Sequence, residues 1–523
     1  MRMNQTHGGG SEWTAEGTPG AVDWSAEDMV VVSNRQPFRH DYDEDGEVVV
    51  DRPTGGLTAG LSAAVRDSGG TWVAWGDGTA DRDVVDENDC VSVPPEADEG
   101  DGYTLRRVWL SDEQVEQYYE GFANQVLWPL CHSTMSLVRD DPAYWERYAE
   151  VNELFADAVA DHARPGGVVW LQDYHFGVAP GLLRDRIPDS TALAQFWHIP
   201  WPSWDVFRTC PNGEEVLAGL LGNDLLGFHV PRYCENFVEC VEESLDEARV
   251  DRERGRIVYD GEVTTLGAFP MGVPVDDIRE RASADEARDA AAAFLDEKGV
   301  DENNKVVLGV DRLDYTKGIP ERLDALERLF DDQPDLRGEV TYVQLGTESR
   351  SNIPAYQDLQ ERVQQRVDEV NERFATDDWT PVVYTTEYVT NETLYGLYRR
   401  ADVGFVTPLR DGMNLVAQEY VAAQGDGDGV LVLSDQAGAF DYLGEYAVGV
   451  TPQDATDTAE GLADALRMAP PERRWRTRAL QRRVEANDID TWMRTAFGAI
   501  QAVERRTDAP VGASTSDAGE SES

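Results

Sequence analysis

Lysine is almost missing from this chain: it occurs three times in 523 residues, as Lys298, Lys305 and Lys317. Positive charge is carried by arginine and is itself scarce, with 46 basic against 100 acidic residues and a formal net charge of −54. So anionic a surface repels nucleic acid and anionic lipid at long range, which excludes non-specific binding to either. Any anionic ligand has to be held by local cations and backbone amides. The acidic residues are spread between Glu27 and Glu522 instead of collecting in one tail. That reads as a uniformly acidic, halophile-like surface whose self-repulsion salt would screen.

Cysteine is sparse too. The five thiols, Cys90, Cys131, Cys210, Cys234 and Cys240, are odd in number and contain no CxxC pair, which reads as reduced cytosolic cysteines without zinc-site spacing. No apolar run reaches bilayer-spanning length, and the polar, Gly-rich start "MRMNQTHGGGSEWTAEGTPG" is unlike a signal peptide. A cytoplasmic location without membrane attachment is expected.

What is present is 41% hydrophobic residues, enough for sizeable cores, and a length that suits two to four domains. Short β-branched runs alternate with helical stretches. One series of strands is expected at 29–33, 167–172, 192–197 and 225–228, and a second at 305–310, 340–345, 381–384, 402–407, 429–434 and 446–450. Helices are expected at 145–162, 231–246, 317–330, 353–373 and 455–468. Uninterrupted apolar strands separated by helices predict an α/β protein with two doubly wound, Rossmann-like domains facing a cleft. Residues 28–270 form the first domain and 271–480 the second, with the junction in "AFPMGVPVDD" (268–277). Residues 1–27 and 506–523 read as flexible tails.

The motifs that carry chemistry fall just after strands, where open α/β sheets bind ligands. "NRQP" puts Arg35 at a strand end, and "TGGLTAGL" (54–61) has glycines, Gly56 among them, that let amides approach an oxyanion; alone they read equally well as a tight turn. "DYDEDGEVVVDR" (41–52) looks like a calcium loop, but Arg52 stands where the bidentate Glu belongs, so a solvated hairpin is expected. In "QYYEGFANQVLWPLCH" (117–132), Phe122 and Leu127 read as core, while Tyr119 and Trp128 have polar handles suited to a sugar site. Asp173 and His175 in "VVWLQDYHFGVAP" and His198 in "QFWHIPWP" fall at consecutive strand ends. A lone histidine is more often structural; two in consecutive motifs shift that balance.

In "GVDRLDYTKGIP" (309–320), Arg312 and Lys317 straddle a strand-to-helix turn shaped by Gly318 and Pro320. The bland reading pairs the lysine with Asp311 or Asp314 at little gain. The scarcity of lysine favours a cation pair placed for a diphosphate. In "VTPLRDGMNLVAQEY" (406–420), a helix beginning near Asn414 sets Asp411 before its N-terminus and Glu419 more than a turn inside. Amides around Leu415 can then cap a phosphate, while the carboxylates take sugar and ribose hydroxyls.

"VVSNR", "GGLTAGL", "YYEGFANQVLWP", "QDYHF", "HIPWPS", "GVDRLDYTKGIP" and "VTPLRDGMNLVAQEYVAAQ", in that order, resemble the trehalose-6-phosphate synthases, retaining glycosyltransferases of GT-B fold, from about Met29 to about Arg505. The resemblance implies acceptor-phosphate contacts at Arg35, Tyr119 and Arg350, the last within "GTESRSNIPAYQ", and a glucose-6-phosphate pocket lined by Trp75, Trp128 and Asp173. On the donor side it implies Gly56 near the phosphates, His198 at the reacting sugar, and Arg312 and Lys317 on the diphosphate. Asp411 would take the donor sugar, Asn414, Leu415 and Val416 the donor at the helix start, and Glu419 the ribose. It further implies that C-terminal helices at 481–505 pack back on the first domain. Departures are Gln172 where His is common, Gln418 where Lys is common, and "VNERFAT" (370–376) where "INGRFGT" is usual, which leaves the donor base open.

By the same resemblance, glucose passes with retention from UDP-glucose or another nucleotide-glucose to the anomeric hydroxyl of glucose 6-phosphate. No cofactor and no metal is implied, since two fixed cations can replace an ion's charge. No phosphatase-like domain follows in the sequence, so a separate trehalose-6-phosphate phosphatase would act downstream; a homo-oligomer stays open, and an osmolyte role would suit the acidic surface. Two rivals remain. A glucosylglycerol-phosphate synthase would use glycerol 3-phosphate as acceptor. A catalytically silent, sugar-phosphate-sensing regulator could dispense with Lys317, His198 or Glu419, all of which are present.

Overall fold

A computed structural model describes residues 28–52, 61, 65–66, 69–95, 102–425 and 427–503. Gly56, most of the glycine motif and both expected tails lie outside the described residues.

The first half carries β1 (Met29–Arg35), β4 (Thr71–Trp75), β5 (Cys90–Val93), β6 (Tyr103–Val108), β7 (Val168–Gln172), β8 (Ala192–Phe196), β9 (Leu225–Phe228), β10 (Arg249–Asp251), β11 (Arg256–Tyr259) and β12 (Glu262–Ala268). They make one sheet in the order β10-β11-β12-β9-β8-β7-β1-β4-β6-β5. Its centre, from β12 to β6, is parallel throughout, with antiparallel strands only at the two edges. Between β1 and β4 a separate hairpin of β2 (Arg39–Tyr42) and β3 (Val48–Asp51) stands at the expected calcium-like stretch, with β3 exposed along its length.

Sequence reading missed β4, β5, β6, β10, β11 and β12. The apolar run of β6 is broken by Arg107, which is fully buried and pairs with equally buried Asp81 at 2.9 Å. A charge that the fold neutralises internally looks, in sequence, like solvent exposure.

The second half carries β13 (Lys305–Arg312), β14 (Val340–Thr347), β15 (Val382–Thr385), β16 (Val403–Val406), β17 (Val430–Ser434) and β18 (Val448–Val450). All are parallel, in the order β15-β14-β13-β16-β17-β18. The order reverses between β13 and β16, and a crevice opens at their carboxyl ends. The expected strands and helices of this half are all present within two residues at each end: the helix expected at 353–373, for example, spans Pro354–Phe374.

Both sheets are covered on both faces, as apolar strands require. In β1, Val30 and Val32 face one core, while Met29 and Val31 face another that also holds Trp170 and Phe196. That second core is closed by the helix Ile489–Ala502, whose Ile489, Trp492, Met493, Ala496, Phe497 and Ile500 follow helical spacing. The chain therefore returns to the first domain, but later than the expected boundary at 481. Residue 481 lies within the helix Pro470–Ala486, whose Leu480 and Val484 belong to the second domain's core. The returning segment and the outward linker run side by side: Asn487 Nδ2 donates to Pro270 O (2.7 Å) and Ile489 N to Val273 O (3.1 Å).

Candidate active site

The donor side is built at the strand-order reversal. Beyond β13 the 3₁₀ turn Tyr315–Lys317 leads through Gly318 into the helix Ile319–Asp332. Gly318 has φ +69°, and a Cβ there would meet Thr407 O at 2.5 Å, so both the left-handed backbone and the approach of the loop after β16 require glycine. The two strand-end loops are tied directly, Leu409 N donating to Thr316 O (2.7 Å), and Arg322 Nη2 donates to Lys317 O (2.8 Å).

Lys317 Nζ lies 2.5 Å from Asp411 Oδ2, and Asn414 Nδ2 donates to the same oxygen at 3.1 Å. The alternative partners are engaged elsewhere: Asp311 with Arg322 at 2.6 Å and Asp314 with Arg350 at 3.1 Å. The other two lysines serve the scaffold, Lys305 Nζ donating to Leu466 O (2.8 Å) and Lys298 pairing with Glu387 (2.9 Å). Burial would raise the Asp411 carboxyl, but Lys317, with His132 and Asn414, outweighs it and brings the group below its ordinary value. The Arg312 side chain makes no hydrogen bond or ion pair among the described residues; its guanidinium sits 5.7 Å from the Trp128 ring.

Asn414, at φ +80°, caps the helix Leu415–Ala423 by accepting from Ala417 N (3.2 Å). The amides of Leu415 and Val416 have no intrahelical acceptor at this end and are left to meet an anion. One turn further in, Glu419 accepts from Tyr398 OH at 2.9 Å, and burial raises its carboxyl against that bond.

The acceptor side draws on both domains. Arg35, at the end of β1, donates to Tyr119 OH (3.3 Å), while the adjacent Tyr118 OH donates to Asn34 Oδ1 (2.9 Å). Both tyrosines come from a π-helical segment, Val115–Leu127, whose wide turn leads into Trp128. Such segments often occur at functional sites. Trp75, ending β4, packs 6.0 Å from the Tyr119 ring. From the second domain Arg350, at φ +52°, lies 4.0 Å over Trp128 and donates Nη2 to Tyr174 OH (3.1 Å) and Nη1 to Tyr356 OH. Burial would raise the Tyr119 phenol; Arg350 and Arg35 together bring it below its usual value.

Between the two sides stand Asp173 and His198. Asp173, at φ +75°, follows β7 and accepts from Tyr174 N (3.0 Å) and His198 N (3.2 Å) through Oδ1. Burial pushes its carboxyl up to about 7, in spite of these amides and of Arg350 and Arg312. His198 Nε2 is 3.0 Å from Gln172 Oε1, and burial, aided by His229, holds the imidazole neutral. The domains touch here: a Cβ on Gly412 would lie 2.0 Å from His198 O, and Tyr233 OH donates to Asp411 O (3.0 Å).

All sequence-expected site residues except Gly56, which lies outside the described residues, therefore line or adjoin one interdomain cleft. Sequence reading missed Tyr174, Asp314, Tyr356 and Tyr398. Tyr174, Asp314 and Tyr356 lay inside quoted motifs, but like Tyr398 they show their roles through partners that only the fold brings together: Tyr174 and Asp314 with Arg350, Tyr356 with Asp314, and Tyr398 with Glu419. His175 stacks on Tyr119 at 5.9 Å and 14°, and neither ring nitrogen has a hydrogen-bond partner among the described residues.

The glycosyltransferase family 20 model matches residues 27–502. A trehalose-6-phosphate synthase of Mycobacterium sp. (strain KMS) is 36% identical over 496 residues, covering 93% of this chain and 97% of that protein. Among solved structures, trehalose-6-phosphate from E. coli bound with UDP-2-fluoro glucose superposes with TM-score 0.81 at 31% identity, over 91% of this chain and 100% of that one. A UDP-forming α,α-trehalose-phosphate synthase from Burkholderia xenovorans in complex with glucose-6-phosphate gives TM-score 0.79 at 32% identity, over 91% and 100% of the two chains. With a matching model across nearly its whole folded length and a cleft that gathers the motif residues, the chain belongs to glycosyltransferase family 20.

Proposed function

We propose that this protein is an α,α-trehalose-6-phosphate synthase, transferring glucose with retention from UDP-glucose to the anomeric hydroxyl of glucose 6-phosphate. The observation that carries this reading is the pairing of two anion sites across one cleft. Arg35, Tyr119 and Arg350 converge on one side, and Arg312, Lys317 and the free amides of Leu415 and Val416 on the other. Relatives solved with UDP-2-fluoro glucose and with glucose-6-phosphate support a nucleotide-glucose donor and a glucose 6-phosphate acceptor.

In the reaction the donor's C1–O bond to the diphosphate breaks on the face where the acceptor oxygen arrives, so the anomeric configuration is kept. The acceptor O1 forms the new C1–O bond, and its proton passes to the departing phosphate oxygen. Arg312, Lys317 and the helix-start amides stabilise the charge that develops on the diphosphate. Asp411 and neutral His198 hold the donor sugar, Asp173 and Trp75 the acceptor sugar, and the arginines its phosphate, so the protein's work is alignment and electrostatics. Glu419 takes the ribose hydroxyls.

The test is nucleotide release in high salt with UDP-, GDP- or ADP-glucose, each offered glucose 6-phosphate or glycerol 3-phosphate, with products identified by mass. Release that depends on glucose 6-phosphate and yields a disaccharide phosphate supports the synthase and names its donor. Turnover with glycerol 3-phosphate alone overturns the acceptor; binding of both substrates without turnover overturns catalysis.

A further inference from the structure

Asp314 lies between the two anion sites and is bonded toward both. Its Oδ1 accepts from Thr316 N (3.0 Å) and Thr316 Oγ1 (2.9 Å), which fixes the turn that carries Lys317. Its Oδ2 accepts from Arg350 Nη1 (3.1 Å) and Tyr356 OH (3.2 Å), which fixes the arginine on the acceptor side. The Asp314 side chain is 0% exposed and that of Arg350 4%, so neither contact is a passing surface pair. Tyr356 closes the triangle by also accepting from Arg350. One carboxylate thus holds the diphosphate turn with one oxygen and the phosphate arginine with the other.

The two sites share a second property: each is completed only when the domains meet. Arg35 and Tyr174 belong to the first domain, and Arg350, which must join them, belongs to the second. On the donor side Lys317 and Asp411 belong to the second domain, while His198, against Gly412, and Tyr233, on Asp411 O, belong to the first. A ligand that favours the closed cleft therefore favours both sites, provided that Arg350 and the Lys317 turn move as one body.

We propose that Asp314 is a positioning residue that makes them one body, and so couples occupancy of the acceptor-phosphate site to occupancy of the donor-diphosphate site. The coupling rests on the functional reading above, and its sign is positive: closure onto one anion presents the completed site to the other. With Asp314 changed, each site keeps its own cations, but Arg350 is free to engage an acceptor phosphate without carrying the turn along.

Calorimetric titration of the full chain in high salt tests this, with UDP and glucose 6-phosphate each titrated alone and in the presence of the other. In the unmodified protein each ligand tightens the other by the same factor, about 5-fold or more. In Asp314→Asn, which keeps the size and the Oδ1 acceptor but loses the charge, both ligands still bind singly and the factor falls toward one. Tyr356→Phe removes a single partner from each group and lowers the factor in part. Independent binding in the unmodified protein, or an undiminished factor in Asp314→Asn, overturns the proposal. Should Asp314→Asn fail to fold, an undiminished factor in Tyr356→Phe overturns it. Absence of binding by either ligand to the unmodified protein would bring down the functional reading and this proposal together, whereas independent binding brings down the coupling alone.

Discussion

Lys317 meets Asp411 at 2.5 Å across a sequence separation of 94, joining the loop after β13 to the loop after β16. The lysine expected to grip a diphosphate is therefore paired with the Asp411 carboxylate. On the proposed function, an incoming donor would share Lys317 and release the Asp411 carboxylate for sugar hydroxyls, so the pair would act as a latch and then as two ligands. Asp411→Asn should accordingly bind UDP at least as tightly as the unmodified protein, because the ammonium is free, while turnover falls about 10²-fold or more. UDP titration beside an initial-rate assay decides it; weaker UDP binding in the variant refutes the latch.

Lys317→Ala should remove most turnover while the fold persists. Near-normal kcat with a normal circular dichroism spectrum would refute its role at the diphosphate.

Arg35 and Arg350 are predicted to separate cleanly. Among the described residues, Arg35 makes its one side-chain hydrogen bond with Tyr119, so Arg35→Ala should raise the acceptor KM with little change in Tm. Arg350→Ala should raise the same KM and also cost about 3–5 kcal/mol, because Asp314 is left buried without its counter-ion. Equal melting temperatures for the two variants would contradict the buried pair.

Burial holds Asp173 protonated up to about pH 7. The stability due to that neutral carboxyl is full in acid and is lost as pH rises from the ordinary carboxylate range through about 7. Acceptor binding runs the other way, since only the ionised group accepts hydroxyl donors through both oxygens. The acceptor KM should fall as pH rises through about 7, and Asp173→Asn should abolish that inflection. An inflection unchanged in the variant assigns it to another group.

Gln172 Oε1 faces His198 Nε2 at 3.0 Å, and the imidazole is neutral. A carboxylate in place of the amide stabilises the protonated ring. In Gln172→Glu, kcat/KM should acquire an acid limb, rising with pH as His198 loses its proton, that the unmodified protein lacks. A superimposable pH profile would rule out a need for neutral His198.

With a net charge of −54, the folded state should gain from screening. Tm is expected to rise by several degrees between low salt and molar KCl; an unchanged Tm would refute the salt-adapted reading of the surface.

The sequence by itself determined β1, β7, β8, β9 and the six strands of the second sheet, their ends and the residues placed on them. Arg35, Asp173, His198, Arg312 and Lys317 were legible because a continuous apolar run marks a buried parallel strand, and such strands present ligands at their carboxyl ends. The helix start at Leu415 was legible from Asn414 and the apolar run behind it. Strand β6 was not, because Arg107 is neutralised by Asp81, a partner outside the strand. The boundary at 481 was misplaced because it came from resemblance alone, and which core a C-terminal helix meets is set by packing: Leu480 and Val484 join the second domain's core, Ile489 and Trp492 the first's. Tertiary structure alone decided that Lys317 pairs with Asp411 and not with Asp311 or Asp314, and that Arg350 crosses the cleft to Tyr174. Local sequence encodes period, burial and chain termination within a few residues. Which charges finally face one another is settled by distances between segments far apart in the chain, and only packing of the two domains sets those distances.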